Sequence, residues 1–401
     1  MTLIYLIAGE TSGDVLGGRL MRAITAQQPG IDFTGIGGDA MAAQGLTSLF
    51  PQRDLALMGL LEIVPRLRRL KARFDQTLAD IALRRPDIVV TIDSPDFTLR
   101  VLRAIARLNI PRAHYVAPQA WAWRARRTKQ FPGLWDRLLC LLPFEPEFFA
   151  RHNLPATFVG HPVLESGADR GSAARFRGHH GIAPDTRIIT VMPGSRRSEA
   201  SRLLPIFGAT LQRLINQTPH LQPVVPVSEP VAELVRQHAE NWPTRPILIT
   251  GTDAKHDAFA ASAVALTKSG TSTLELALAQ VPMLVAYRVN PLSAAIVRRL
   301  VVVAHASLLN LLAKREIVPE LIQKDCTPDR LAEGLRQLLT DPHLADTQRM
   351  AFRDVLEQLR PPSGRLPSAA AAAAVLELLD RPGSQAYVHA QSSPPAEEHP
   401  V

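Results

Sequence analysis

Short apolar runs alternate with amphipathic segments along most of the chain, and this rhythm limits the fold more than any other feature. LIYLIAG (3–9), IDFTGIGG (31–38), PDIVVTID (86–93), RAHYVAP (112–118), DRLLCLLPFE (136–145) and ATFVGHPV (156–163) read as buried strands. Between them, residues 14–27, 69–85 and 97–109 carry helical periodicity. Apolar runs of strand length separated by helices imply a parallel sheet covered on both faces. A polar interval, SGADRGSAARFRGHHGIAPD (166–185), interrupts the rhythm, which then restarts. TRIITVMPGS (186–195), LQPVVPVS (221–228), RPILITG (245–251) and the two ends of SAVALTKSGTSTLELALAQVPMLVAYRV (262–289) read as strands. Residues 205–219 read as a helix with Pro205 in its first turn, where a missing N–H is tolerated.

The expectation is therefore two doubly wound α/β domains, residues 1–165 and 185–340. A C-terminal helix at about 345–380, ending in the alanine-rich PSAAAAAAVLELL, is expected to pack back onto the first domain. The Pro/Ser-rich tail 381–401 reads as disordered. Two cysteines, Cys140 and Cys326, lie in or beside apolar segments with no CxxC, so neither a disulfide framework nor a zinc cluster is expected. MTLIYLIAGE lacks the basic start of a signal peptide, and no run reaches 18 apolar residues; LVVVAHASLLNLLA (300–313) is broken by His305, Ser307 and Asn310. The formal charge of +8 favours anionic partners without choosing among them. IVPRLRRLKARF (63–74) and IVRRLV (296–301) set arginines beside aliphatics, which suits a solvated helix face or an anionic membrane surface. Interleaved aromatics and nucleic-acid motifs are missing, so no nucleic acid is expected.

Ligands of doubly wound sheets bind beyond the carboxyl ends of the strands, which directs attention to five loops. TKSGTSTLE (267–275) opens a helix after a glycine turn: Gly270, Thr271 and Ser272 suit a diphosphate and Glu275 ribose hydroxyls, while Ser272 and Glu275 also fit a capping box. In MPGSRR (192–197), Ser195 and Arg196 suit a phosphate or a solvent-facing turn. AGETSGD (8–14) is neither GxGxxG nor a P-loop; Glu10, Ser12 and Asp14 suit substrate hydroxyls, or Asp14 caps the helix. Trp121 and Trp123 in YVAPQAWAWR (115–124) suit packing, sugar faces or acyl chains. His114 and His161 have no partner at metal spacing and read as structural. TIDSPDF (91–97) holds two acids. Asp93 ends a buried strand and can act as general base, whereas Asp96 reads as a helix cap; no third ligand supports a metal.

Taken in order, AGETSGD, LALMGLLEIVPRL, IDSPDF, HYVAPQAWAWR, LPFEPEFF, FVGHPV, MPGSR, SGTSTLELAL, PMLVAYR and SLLNLLAKREIVPELIQ resemble the lipid-A-disaccharide synthase family over residues 8 to about 325. That resemblance implies a GT-B glycosyltransferase of two Rossmann-like domains facing a central cleft. It implies inverting transfer from UDP-2,3-diacylglucosamine to the 6-hydroxyl of 2,3-diacylglucosamine 1-phosphate, giving lipid A disaccharide 1-phosphate and UDP. On the matching positions, Asp93 becomes the base and Arg196 offsets charge on departing UDP. Gly270, Thr271, Glu275 and Asn310 fall to the nucleotide-sugar side, with Ser195 and Ser272 beside them. Glu10, Ser12, Glu62, Trp121 and Trp123 fall to the acceptor and lipid side. Glu165 stands where the family shows Asp and receives no role. No metal or other cofactor is implied, the location is the cytoplasmic face of the inner membrane, and dimers occur in the family. The alternatives are another UDP-sugar GT-B enzyme with a lipid-linked acceptor, which would show a GGTGGH-type loop where AGETSGD stands, and a non-catalytic lipid-binding protein.

Overall fold

A computed structural model describes residues 2–55, 63–123, 125–218, 220–290 and 305–380; of these, the side chains of 63–67, 123 and 125–127 are not described. Glu62, the membrane-facing candidate IVRRLV and the tail 381–401 lie outside the described residues, as does the side chain of Trp123. The chain forms two compact units, one running to Pro162 and resuming at Arg360, the other spanning Val163–Leu359.

In the first unit, β1 (Thr2–Ala8), β2 (Ile31–Ile36), β3 (Ile88–Ile92), β4 (Arg112–Tyr115), β5 (Arg137–Cys140) and β6 (Ala156–Phe158) form a parallel sheet in the order β2-β1-β3-β4-β5-β6. Strand geometry sends alternate side chains to opposite faces. Ile4, Leu6 and Ala8 accordingly pack with Met21, Ile24 and Val375 on one face. Tyr5 and Ile7 pack with Val101, Leu138 and Phe149 on the other. The first face is covered by α1 (Thr11–Gln27), by the short α2 (Asp39–Ala42) through Met41, and by the helix Pro367–Leu379, whose Ala371, Ala372 and Ala374 are buried. Gln27 Nε2 donates to the Ala369 carbonyl at 2.9 Å, and Arg137 meets Glu377 at 2.6 Å. The second face carries α3 (Ile63–Arg84), pinned by the Tyr5 hydroxyl donating to Asp80 at 2.9 Å, and α4 (Pro95–Ile105).

In the second unit, β7 (Arg187–Met192), β8 (Leu221–Pro226), β9 (Ile247–Ile249), β10 (Val264–Lys268), β11 (Met283–Tyr287) and β12 (Glu320–Ile322) form a parallel sheet in the order β12-β11-β10-β7-β8-β9. The doubly wound expectation holds for both sheets. In each, the strand order reverses at one place: between β1 and β3 in the first, between β7 and β10 in the second.

Several local expectations need correction. The polar interval 166–185 is structured. It contains the helix Ala173–His180, capped by Ser172 and tied down by Arg175, which grips Asp257 with two bonds of 2.5 Å. Residues 345–380 are not one helix: Pro342–Gln358 belongs to the second unit and Pro367–Leu379 to the first. Pro205 lies well inside the helix Arg197–Gln217, not in its first turn. On the basic stretch of α3, Arg69 and Arg73 are engaged by the nearly buried Asp54 carboxylate, and Lys71 by Asp75.

Candidate active site

The β1–β3 reversal brings the loop after β1 against the loop after β3. Gly9 fits there because it has no side chain: a Cβ would stand 2.5 Å from Ser94 Oγ. Strand β3 stops at Ile92, so Asp93 is not its last residue; Asp93 and Ser94 both take left-handed backbone angles, φ 53° and 47°. Each such non-glycine residue costs on the order of 1–2 kcal/mol, and the turn is held by bonds around it. The Asp93 N–H donates to the Tyr115 carbonyl at 2.9 Å, and Thr98 Oγ1 donates to the Asp93 carbonyl at 2.7 Å.

The carboxylate of Asp93 is partly buried. Its Oδ1 accepts the Ser94 N–H at 2.8 Å, and Oδ2 takes no hydrogen bond from a described residue. Desolvation raises its pKa above the usual aspartate value, opposed by the Ser94 N–H. A carboxylate with one oxygen anchored, one open and its basicity raised suits proton abstraction. Beside it, Ser94 Oγ is buried without a partner among the described residues. Asp96 is not the cap: it is exposed in the first turn of α4, whose N-cap is Ser94.

The neighbouring candidates divide. Glu10 and Ser12 are exposed at the start of α1, with Glu10 at the N-cap. Asp14 is buried and neither caps α1 nor offers itself to a substrate. Its carboxylate accepts the amides of Gly38, Ala40 and Met41 at 2.8, 2.9 and 3.0 Å, fixing the turn after β2. Trp121 is half-buried against Phe144, with its indole N–H donating to Glu145 Oε1 at 3.0 Å. Glu145 is itself buried and accepts the Leu141 and Leu142 amides on its other oxygen at 3.0 Å. Burial pushes its pKa up to about 7 against those three donors. His114, buried beneath Trp135 and bonded to Thr91, is driven down to about 3 by burial and stays neutral.

At the β7–β10 reversal of the second unit lies a cavity of about 250 Å³, lined by Ser195, Gly270, Thr271, Ser272 and Glu275 among others. Five nucleotide-side candidates thus share one cavity. The capping box does not form: the helix Ser272–Leu278 has Thr271 at its N-cap with no side-chain bond. Glu275 instead holds Lys255, whose Nζ donates to both carboxylate oxygens at 2.8 and 2.9 Å. Arg196 is exposed at the N-cap of the helix Arg197–Gln217, and its guanidinium lies 3.5 Å from Glu199.

Asn310 is not among the ligand groups. It is fully buried, and its side-chain amide is saturated: Nδ2 donates to the Val318 carbonyl and Glu320, and Oδ1 accepts the amides of Ile317 and Val318. Asn310 therefore staples the approach to β12. Three cavity residues went unread in the sequence: Lys255, Lys268 and Ser228, whose buried Oγ has no partner among the described residues. A lysine one residue before a strand-end glycine turn, as in TKSGT, is the signal that would have found Lys268.

The model of the family described as lipid-A-disaccharide synthetase matches residues 4–374. The chain belongs to the lipid-A-disaccharide synthase family. The protein of that name from Gluconobacter oxydans (strain 621H) is 57% identical over 383 residues, covering 96% of this chain and 92% of its own. The Granulibacter bethesdensis protein is 54% identical, covering 94% and 98%. At greater distance, the Pseudomonas aeruginosa (strain UCBPP-PA14) protein is 40% identical, again covering 94% and 98%. Solved structures share the fold at low identity. UDP-GlcNAc 2-epimerase from Neisseria meningitidis bound to UDP-GlcNAc superposes with a TM-score of 0.63 at 12% identity, covering 94% of this chain and 99% of that one. The calicheamicin glycosyltransferase CalG4 gives 0.57 at 15%, covering 95% and 99%. The fold is GT-B, and membership makes the chain a glycosyltransferase of lipid A biosynthesis.

Proposed function

We propose that the chain transfers 2,3-diacylglucosamine from UDP-2,3-diacylglucosamine to the 6-hydroxyl of 2,3-diacylglucosamine 1-phosphate, with inversion. The acceptor oxygen attacks the anomeric carbon as its proton passes to Asp93 Oδ2. The bond from that carbon to the diphosphate breaks, and its electron pair leaves on UDP. One in-line displacement gives the β-1,6-linked disaccharide 1-phosphate. Arg196 offsets charge on the departing diphosphate, while Gly270, Thr271 and Ser272 receive it and Ser195 donates to it. Glu275 takes ribose hydroxyls on giving up part of its hold on Lys255. Glu10 and Ser12, exposed beside Gly9, orient the acceptor, and Trp121 offers an apolar face to its acyl chains.

One observation carries this reading. The two reversal points differ in charge: a desolvated, half-anchored carboxylate at the first, and a cavity with Lys255 and Lys268 in its lining at the second. Both substrates carry acyl chains and phosphate, so the site of action is the cytoplasmic leaflet of the inner membrane, reached peripherally. Among the described residues no helix is long and apolar enough to cross a membrane, and α3 exposes Arg68 and Lys71.

The test is incubation of the purified protein with both substrates in mixed micelles, read by mass spectrometry for disaccharide 1-phosphate and UDP. Formation of both supports the reading; release of UDP without disaccharide, or no reaction, overturns it. The pH profile adds a second check. Protonated Asp93 cannot accept a proton, and its pKa is raised, so kcat/KM falls as pH drops through a value above the usual aspartate range of about 3.9. An acid limb at or below that range sinks the assignment.

A further inference from the structure

A second cation stands at the β7–β10 reversal, beside Arg196. Lys268, the last residue of β10, lies 3.2 Å through Nζ from Glu199 Oε2. The other oxygen of Glu199 faces Arg196 at 3.5 Å, so one carboxylate gathers two cations. The three differ in exposure: Arg196 keeps 76% of its side-chain surface, Lys268 only 19% and Glu199 only 12%.

Two glycines make room for this arrangement. A Cβ on Gly194, where φ is 103°, would stand 3.0 Å from Glu199 Oε2 and 3.4 Å from Lys268 Cδ. A Cβ on Gly270 would stand 3.4 Å from Lys268 Nζ. The ammonium is thus lodged between the turn after β7 and the turn after β10, in the wall of the cavity. It has three donors, and among the described residues its contact with Glu199 Oε2 is an ion pair without hydrogen-bond geometry. Lys255 differs, since both oxygens of Glu275 neutralise it.

We propose that Lys268 contacts the diphosphate of the nucleotide donor, and that Glu199 is a positioning residue holding Lys268 and Arg196 in place until the anion takes over Lys268. The proposal rests on the donor reading of this cavity given above. An incoming phosphate oxygen needs only a short swing of Nζ away from Glu199, which keeps Arg196 as its partner. Partial burial strengthens the new contact, because little water competes for the ammonium.

Isothermal titration with UDP, UMP and uridine tests it. Lys268→Met is expected to weaken UDP binding roughly ten- to a hundredfold, the worth of one charge-assisted hydrogen bond, to weaken UMP less, and to leave uridine unchanged. Lys268→Arg should recover most of the UDP affinity. Lys268→Gln, which keeps more polarity at this half-buried position, is the second variant if the methionine protein does not fold, with the same selective loss expected. Glu199→Gln should bind UDP a few-fold more tightly yet turn over more slowly, a split between KM and kcat that loss of packing alone would not give. Equal loss for all three ligands in the Lys268 variants assigns the lysine a structural role and overturns the proposal. Unchanged UDP affinity also overturns it, while leaving the donor reading intact. Failure of the unmodified protein to bind UDP at all overturns the donor reading, and the proposal with it.

Discussion

The two reversal points occupy equivalent places in two similar sheets, yet they are built by opposite means. At the first, backbone strain, the Asp93 N–H donated to the Tyr115 carbonyl, and bonds from Thr98 and the Ser94 amide hold a carboxylate whose second oxygen takes no bond from a described residue. At the second, glycine turns leave space and ion pairs fill it, so the charged groups hold one another. A lone desolvated charge becomes reactive, whereas charges in mutual pairs stay available to be exchanged for a ligand. The same architecture thereby supplies a base in one unit and an anion receptor in the other.

The largest effect should come from the lone charge. Asp93→Asn keeps a residue that tolerates left-handed angles, so thermal melts should match the unmodified protein while turnover drops by roughly 10²–10⁴. Retention of a tenth of the rate would place the base elsewhere and collapse the contrast. Next comes Asn310→Ala, which strands the buried amides of Ile317 and Val318 and should cost roughly 2–4 kcal/mol in chemical denaturation. UDP affinity measured where the variant is fully folded should not move; a fall would return Asn310 to the ligand groups. Gly9→Ala should cost about 1–3 kcal/mol through its collision with Ser94. Combining it with Ser94→Gly should recover most of that loss, and simple additivity in the double variant would show the two loops are not in strict contact. Smallest is Asp96→Ala, expected within about 0.5 kcal/mol and with turnover unchanged. A rate loss there comparable to that at Asp93 would mean the acids had been ranked the wrong way round.

Eleven of the twelve described strands were legible because the central ones are buried on both faces and read as apolar runs bounded by polar turns, whereas β12, three half-buried residues that include Glu320, was not read as a strand. That ligands gather beyond the carboxyl ends of the strands followed from the fold class, which is why the loops holding Asp93, Arg196 and Gly270 could be singled out in the sequence, whereas the strand order that sets the reversal points could not. What stayed hidden depends on distant partners. Asp14 looks like a helix cap until Gly38, Ala40 and Met41 arrive from another turn. Ser272 and Glu275 have capping-box spacing, but Lys255 takes the glutamate. The helix Ala173–His180 buries one large apolar residue, Phe176, and depends on Ser172 and on Arg175 gripping Asp257, so its periodicity is faint. Asp93's left-handed turn leaves no local sign either, since glycine or asparagine would be its usual marker.

The alanine-rich helix Pro367–Leu379 has a consequence for biogenesis. It supplies Ala371, Ala372, Ala374 and Val375 to the core around β1, from which it is separated in sequence by the whole second unit. The first unit therefore cannot close its hydrophobic face until residues 367–379 have been made, whereas Val163–Leu359 is contiguous and can fold before they emerge. Nascent chains halted before residue 367 would carry a finished second unit and an open first one, a ready substrate for chaperones that hold exposed apolar surface.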